Sequence, residues 1–156
     1  MKINPKTRRT LVESLNLDDF KIGAEVGVRT GWFCKYILDN TKMKMYAVDP
    51  WEDNAEPTQA EKIYKECSDR LAPYSDRCEM IKGYSPQEAD RFENESLDFV
   101  YIDGLHDYES VKKDVTAWWD KVRSGGVLAG HDFNRTKWTG VVEAVEEFCQ
   151  SKEVKF

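Results

Sequence analysis

Two short stretches hold the residues of this chain best suited to chemistry. "IDGLHDY" (102–108) closes an apolar run with Asp103 and sets His106 three residues further on. "LAGHDF" (128–133) closes another apolar run with His131 and Asp132. These are the 2 histidines of the chain, and each has an aspartate close by. An imidazole takes or gives a proton near neutral pH, and a neighbouring carboxylate can orient it or act as base in its place. Two such endings suggest one shared site, provided the fold brings them together.

The pattern of elements says that it does. Short β-prone runs at 21–28, 44–50, 78–83, 96–104 and 124–133 alternate with helical patterns at 30–40, 57–74, 85–92, 108–122 and 139–150. Ser85 is expected at a helix cap with Pro86 in the first turn. One short helix is expected at about 7–16, and "EVKF" (153–156) could begin a sixth strand. Strand–helix alternation implies right-handed crossovers and a mostly parallel sheet covered on both faces. The expected fold is therefore α/β, a doubly wound Rossmann-like sheet in one domain over 1–156, with 1–20 as a short N-terminal helical segment. Ligands of such sheets bind beyond the carboxyl ends of the strands, where both histidine stretches fall.

Composition narrows the function classes. The 156 residues suffice for one core but not for two domains, and 40% hydrophobic with 33% charged residues is ordinary for a globular protein. A net charge of −6 argues against a general nucleic-acid binder. No apolar run approaches the ~20 residues of a membrane helix, and the first residues lack the apolar core of a signal peptide. Cys34, Cys67, Cys78 and Cys149 show no paired spacing, which fits reduced thiols in a cytoplasmic protein. Most of the 12% aromatic residues belong to the core, including Trp118 and Trp119 against the sheet.

The loops after the first two strands point to a nucleoside-bearing ligand. In "GAEVGVRTG" (23–31), Gly27 and Gly31 flank a strand-to-helix turn and let the backbone approach a ligand. Glu25 and Val28 stand where a G-x-G-x-x-G dinucleotide fingerprint needs glycine. A carboxylate at Glu25 would repel a pyrophosphate and suit an amine. Asp49 ends the second strand, where an acid can accept the two hydroxyls of a ribose.

E-x-G-x-x-x-G, an acid ending strand two, Ser85 after strand three, and the endings "YIDGLHDY" and "SGGVLAGHDF" together resemble class I S-adenosylmethionine-dependent methyltransferases. More narrowly, they are similar to a small-molecule O-methyltransferase family, over about residues 22–150. The resemblance implies S-adenosylmethionine as cofactor, with Gly27 and its loop against the methionine part and Glu25 near the ammonium. It places Asp49 on the ribose, Trp51 and Ser85 around the adenine, and Asp103 facing the sulfonium and the acceptor. His106, His131 or Asp103 would be the base for a hydroxyl of a small molecule, a sugar or a secondary metabolite.

Some relatives hold a divalent cation with the strand-four Asp and an acidic pair after strand five. The matching positions are Asp103, His131 and Asp132, where His131 weakens the case for magnesium and admits a softer metal or none. Trp138 is the aromatic expected to touch the acceptor, with Arg135 and Lys137 in the same loop available to an anionic one. The family's closing antiparallel strand is not evident, so an open site, or one completed by a second subunit of a homodimer, is expected. Two other classes stay in view: a domain that binds the cofactor without catalysis, and a nicotinamide-dependent oxidoreductase. The second lacks both the dinucleotide fingerprint and a suitably placed Tyr-x-x-x-Lys pair.

Overall fold

The computed structural model describes residues 8–15, 19–52 and 56–154. Its centre is β4 (Leu97–Ile102, "LDFVYI"), in which every residue is buried. Burial on both faces is what a β-rich run in the middle of a parallel sheet requires. β1 (Ile22–Val26) pairs with it on one side and β5 (Val122–Gly130) on the other. β2 (Lys44–Asp49) and β3 (Cys78–Lys82) extend the sheet beyond β1, in the order β3-β2-β1-β4-β5, all parallel.

Alternate residues feed two separate cores. Phe99 and Tyr101 of β4 face one way, joining Phe33, Ile37 and Leu38 of α2 (Trp32–Asn40), Met45 of β2 and Leu11 of α1 (Arg8–Ser14). Val100 and Ile102 face the other way, against Val115 and Trp118 of α5 (Tyr108–Trp119) and Val141 and Phe148 of α6 (Thr139–Ser151). A sheet with two apolar faces needs helices on both, and the chain supplies them. α3 (Pro57–Leu71) joins the α2 face, where Cys67 and Leu71 are buried in the same core, and α4 (Ser85–Glu88) follows β3. No helix among the described residues is long and apolar enough to cross a membrane.

The expected α/β architecture is observed, with differences at the element ends. The "SGG" before β5 is not a turn: it lies inside the strand, at a shift in its register with β4. Gly125 takes φ 77°, and a side chain on Gly126 would press on the Asp98 carbonyl, so glycine here permits a bulge. Ser85 is not a cap, because extended Tyr84 holds that position and Ser85 opens the helix itself. The sixth strand is not seen as far as Val154: Glu153 is a turn residue at φ 55°, and residues 155 and 156 lie outside the described residues. Of the segment 1–20, α1 is the described helix; residues 1–7 and 16–18 lie outside the description.

At the amino edge of the sheet Asp98 has three donors. Asp98 accepts from the backbone N–H groups of Lys21 (2.7 Å) and Ile22 (2.8 Å), and from Arg123 Nε (2.6 Å). The four cysteines are free, with the Cys34 and Cys78 sulfurs 3.9 Å apart in the α2-side core. Trp118 is wholly buried, and Trp119 packs edge-on against Phe148.

Candidate active site

The carboxyl edge is built differently. Gly27 (φ 82°), Arg29 (φ 53°), Gly31 (φ 79°), Trp51 (φ 42°) and Asp132 (φ 58°) all take left-handed backbone conformations there. For the three non-glycine residues this is local strain, of a kind that persists where the surroundings hold a site in shape. A side chain on Gly27 would collide with the carbonyl of Asp103, so the β1 loop lies directly on the β4 loop. Glycine is required here twice over, by its φ and by this contact.

Beneath that loop, Glu25 is 1% exposed and points to the α2 face. The Cys34 backbone N–H donates to its carboxylate, but Oε2 has no partner. Burial drives its pKa well above the usual carboxylate range, partly opposed by the nearby Arg8 guanidinium. A buried acceptor without a partner calls for one. An ammonium group would serve.

Asp49 ends β2 as expected. Its Oδ2 accepts from Arg29 N (2.8 Å) and its Oδ1 from Trp51 N (2.7 Å), which fixes the carboxylate at the mouth of the edge. Each oxygen retains a lone pair for a hydroxyl donor. Trp51 braces the same loop: its ring is buried, meets Tyr64 edge-on, and donates Nε1–H to the Arg29 carbonyl (2.8 Å). Ser85 lies past β3, but its hydroxyl is engaged, donating to Asp114 Oδ1 (2.7 Å) and accepting from Trp118 Nε1 (2.9 Å).

The β4 and β5 endings do meet. His106 Nε2 lies 2.8 Å from Asp132 Oδ2 and 3.6 Å from Asp103 Oδ1. His131 Nδ1 lies 3.0 Å and 3.5 Å from the same two oxygens. His131 is held by its backbone N–H, which continues the β4–β5 ladder to the Ile102 carbonyl (3.0 Å). His106 stacks on Trp138 at 4.7 Å between ring centroids, and the Trp138 Nε1–H is buried without a partner. Burial raises the Asp103 pKa, opposed by Arg8 and the two imidazoles.

Sequence reasoning missed Arg8. From α1 it forms an ion pair with Asp103 Oδ2 and lies over the rings of Phe33 and Tyr101. Nothing near Arg8 in the chain announces this. Arg135, expected to be available to an acceptor, is paired with Glu146. His106 joins the group of three expected cation ligands, giving four donors from four residues whose ligand atoms all lie within 4.8 Å of one another. Half of that set is imidazole nitrogen, which does not fit the all-oxygen preference of magnesium. The expectation of magnesium is not supported.

Residues 20–133, well over half of the chain, match the model of a family described as methyltransferase domain. The chain belongs to the methyltransferase-domain family. That assignment favours methyl transfer over the nicotinamide-dependent alternative. The uncharacterized protein y4gI of Sinorhizobium fredii is 25% identical over 114 residues, 72% of this chain and 12% of that protein. A SAM-dependent O-methyltransferase of Thermotoga maritima shares the fold at a TM-score of 0.64 and 15% identity, over 94% of this chain and 51% of that one. The TDP-rhamnose 3′-O-methyltransferase of calicheamicin biosynthesis does so at 0.56 and 18%, over 90% of this chain and 65% of that one. This methyltransferase domain thus spans about half the length of the Thermotoga protein and about an eighth of y4gI.

Proposed function

We propose that the chain transfers the methyl group of S-adenosylmethionine to a hydroxyl oxygen of a small molecule, a sugar or a secondary metabolite. The observation that carries this reading is one edge holding both a buried, unpartnered Glu25 oxygen and a proton-accepting cluster at Asp103, His106 and His131. When bound, the cofactor supplies a methyl carbon already activated by its sulfonium. The protein must therefore align an acceptor in line with that carbon and take up its proton.

In this reading Glu25 receives the ammonium, Asp49 the ribose hydroxyls, and Trp51 with the residues around Ser85 the adenine side. The Gly27 loop, which lies on the Asp103 carbonyl, would hold the methionine part of the cofactor. The acceptor hydroxyl enters beside Trp138, whose free indole N–H can donate to it. With the cofactor bound, the acceptor hydroxyl would be held in line with the activated methyl group, and His106, His131 or Asp103 would take up its proton. The net charge of −6 favours a small-molecule acceptor over nucleic acid. Four free thiols favour the cytoplasm. A second subunit of a homodimer would be one way to close the open acceptor side.

A second reading is a cofactor-binding domain that needs further protein for catalysis, favoured by the short span relative to y4gI and the Thermotoga enzyme. Calorimetry with S-adenosylmethionine, S-adenosylhomocysteine and NAD, followed by turnover on a panel of hydroxyl compounds, separates the two. Methyl transfer to any panel member supports the first. Tight cofactor binding with no transfer supports the second, and binding of NAD alone would sink both.

A further inference from the structure

The core on the α2 face holds a reactive pair that methyl transfer does not use. Cys34 of α2 and Cys78 of β3 bring their sulfurs to 3.9 Å and share a hydrogen bond. Cys34 is wholly buried, whereas Cys78, at the start of an edge strand, is only partly covered. The shared hydrogen bond lowers the Cys78 pKa, with help from the Arg77 guanidinium, and raises that of Cys34. Cys78 is therefore the first of the two to ionise and the one that solvent reaches, with the Cys34 thiol directly behind it. The other two cysteines do not compete. Burial pushes the Cys67 thiol up to about 12, and Cys149 packs into the core on the opposite face of the sheet.

The two sulfurs are carried by segments of unequal firmness. Cys78 pairs with Met45 in the β2–β3 ladder. Its neighbour Arg77 donates to the carbonyls of Thr41 (3.0 Å), Met43 (3.2 Å) and Leu38, which ties β3 to the far end of α2. Cys34 lies instead in the first turn of α2, whose N-cap, Gly31, offers no side chain to hold it. The N–H of Cys34 is also the group that donates to the buried Glu25 carboxylate. A bond between the sulfurs requires them to close about half of their present separation. The strand is held by its ladder and by Arg77, so the displacement falls on the first turn of α2 and on the amide at Glu25.

We propose that Cys34 and Cys78 are an oxidation site at which a hydroperoxide makes a reversible disulfide, and that this bond draws the first turn of α2 away from Glu25. The Cys78 thiolate attacks one oxygen of the peroxide, the O–O bond breaks, and hydroxide leaves a sulfenic acid on Cys78. The Cys34 sulfur then attacks the Cys78 sulfur. The S–O bond breaks, and the Cys34 proton departs with the hydroxide as water. In sum, two thiols lose two electrons and two protons, and the peroxide is reduced to two waters. A dithiol reverses the step by exchange. Disulfides of cytoplasmic proteins are commonly transient in this way, which agrees with thiols that are free in the resting protein. Glu25 is the residue assigned above to the cofactor's ammonium, so on that reading oxidation weakens cofactor binding; the bond itself does not rest on it.

The test treats the whole chain with hydrogen peroxide and then with dithiothreitol. Mass spectrometry should show a loss of about 2 Da, two hydrogens, and a peptide pair joined through Cys34 and Cys78, both undone by the dithiol. Amide hydrogen exchange in the first turn of α2 should quicken about tenfold in the oxidised protein. S-adenosylhomocysteine should bind about tenfold more weakly in calorimetry, the worth of one hydrogen bond to a charged group. Cys78→Ser should abolish the bond and both effects, and Cys149→Ser should leave all three in place. Oxygen added to Cys78 without the mass loss, a bond to Cys67 in place of Cys34, or a bond that leaves exchange in α2 unchanged would each overturn the proposal. If the reduced protein does not bind S-adenosylhomocysteine, it is the methyl-transfer reading that fails, and mass and exchange still decide this one. They also decide it from the unaltered protein if C78S does not fold.

Discussion

The carboxyl edge of the sheet has two halves made by opposite means. On the β1–β2 side, backbone groups do most of the shaping: Asp49 is held by two amides, Glu25 by one, and the loop turns through left-handed residues. On the β4–β5 side, side chains meet one another, and they are more open, with the His131 side chain 38% exposed against 1% for Glu25. A backbone-built, closed half suits a ligand that never changes. An open half made of side chains can be altered residue by residue without disturbing the fold, which suits a variable acceptor. The ways to break this contrast run from the glycine that joins the halves to a single ring on the open side.

Gly27→Ala should do the most damage. The new methyl meets the Asp103 carbonyl in a conformation alanine avoids, so a loss of about 3 kcal/mol or more is expected in denaturant unfolding. If G27A is as stable as the parent, the two halves are not in the contact described.

Glu25→Gln should split stability from binding. The raised pKa means that the folded state prefers the carboxyl protonated, so stability is greatest at low pH and falls as pH rises through the folded pKa. The variant has no such charge and should melt above the parent at neutral pH. It should also bind S-adenosylhomocysteine about a hundredfold more weakly, having lost a charged partner for the ammonium. Parent affinity should climb with pH as Glu25 gives up its proton to binding, and the variant profile should be flat in calorimetry. A weaker ligand together with a lower melting point would mean that Glu25 holds the fold and not the cofactor.

The two halves also differed in how far they could be read from the chain. β4 was evident because "LDFVYI" is β-prone throughout, and the meeting of "IDGLHDY" with "GHDF" follows from parallel topology alone. That Glu25 and Asp49 lie toward this edge could be read from their positions late in β1 and β2. What escaped depended on partners far away in sequence. Arg8 reaches Asp103 across 95 positions, and the Ser85 hydroxyl is engaged by Asp114 across 29. "SGG" reads as a turn in one dimension, and only the neighbouring strand makes it a bulge. Even the fourth donor, His106, was visible as a candidate base, while its sharing of two carboxylate oxygens with His131 is purely spatial.

Asp114 straps the halves together from behind, accepting from Ser85 of α4 while sitting on α5. Burial pushes its pKa up to about 6, against the hydrogen bond from Ser85. The unfolded carboxyl titrates lower, so the folded protein gains stability as pH falls through about 6 and carries a penalty above it. Asp114→Asn keeps an acceptor for Ser85 without the charge. It should raise stability by about 1–2 kcal/mol at pH 8 in urea titrations, with the gain fading by about pH 4. A gain independent of pH would show that the strap is steric and not electrostatic.

Trp138→Phe should have the smallest effect and gives the sharpest test of the contrast. Phenylalanine keeps a ring against His106 and removes a buried N–H that has no partner, so unfolding should change by no more than about 0.5 kcal/mol. The ring stacks on His106 of the open half, so affinity for S-adenosylhomocysteine should stay as it was. If the indole N–H meets the acceptor, KM for the acceptor should rise severalfold, by about the worth of one neutral hydrogen bond, with kcat little changed. A loss of cofactor affinity of similar size would mean that the open half is not separate from the closed one, and that Trp138 shapes both.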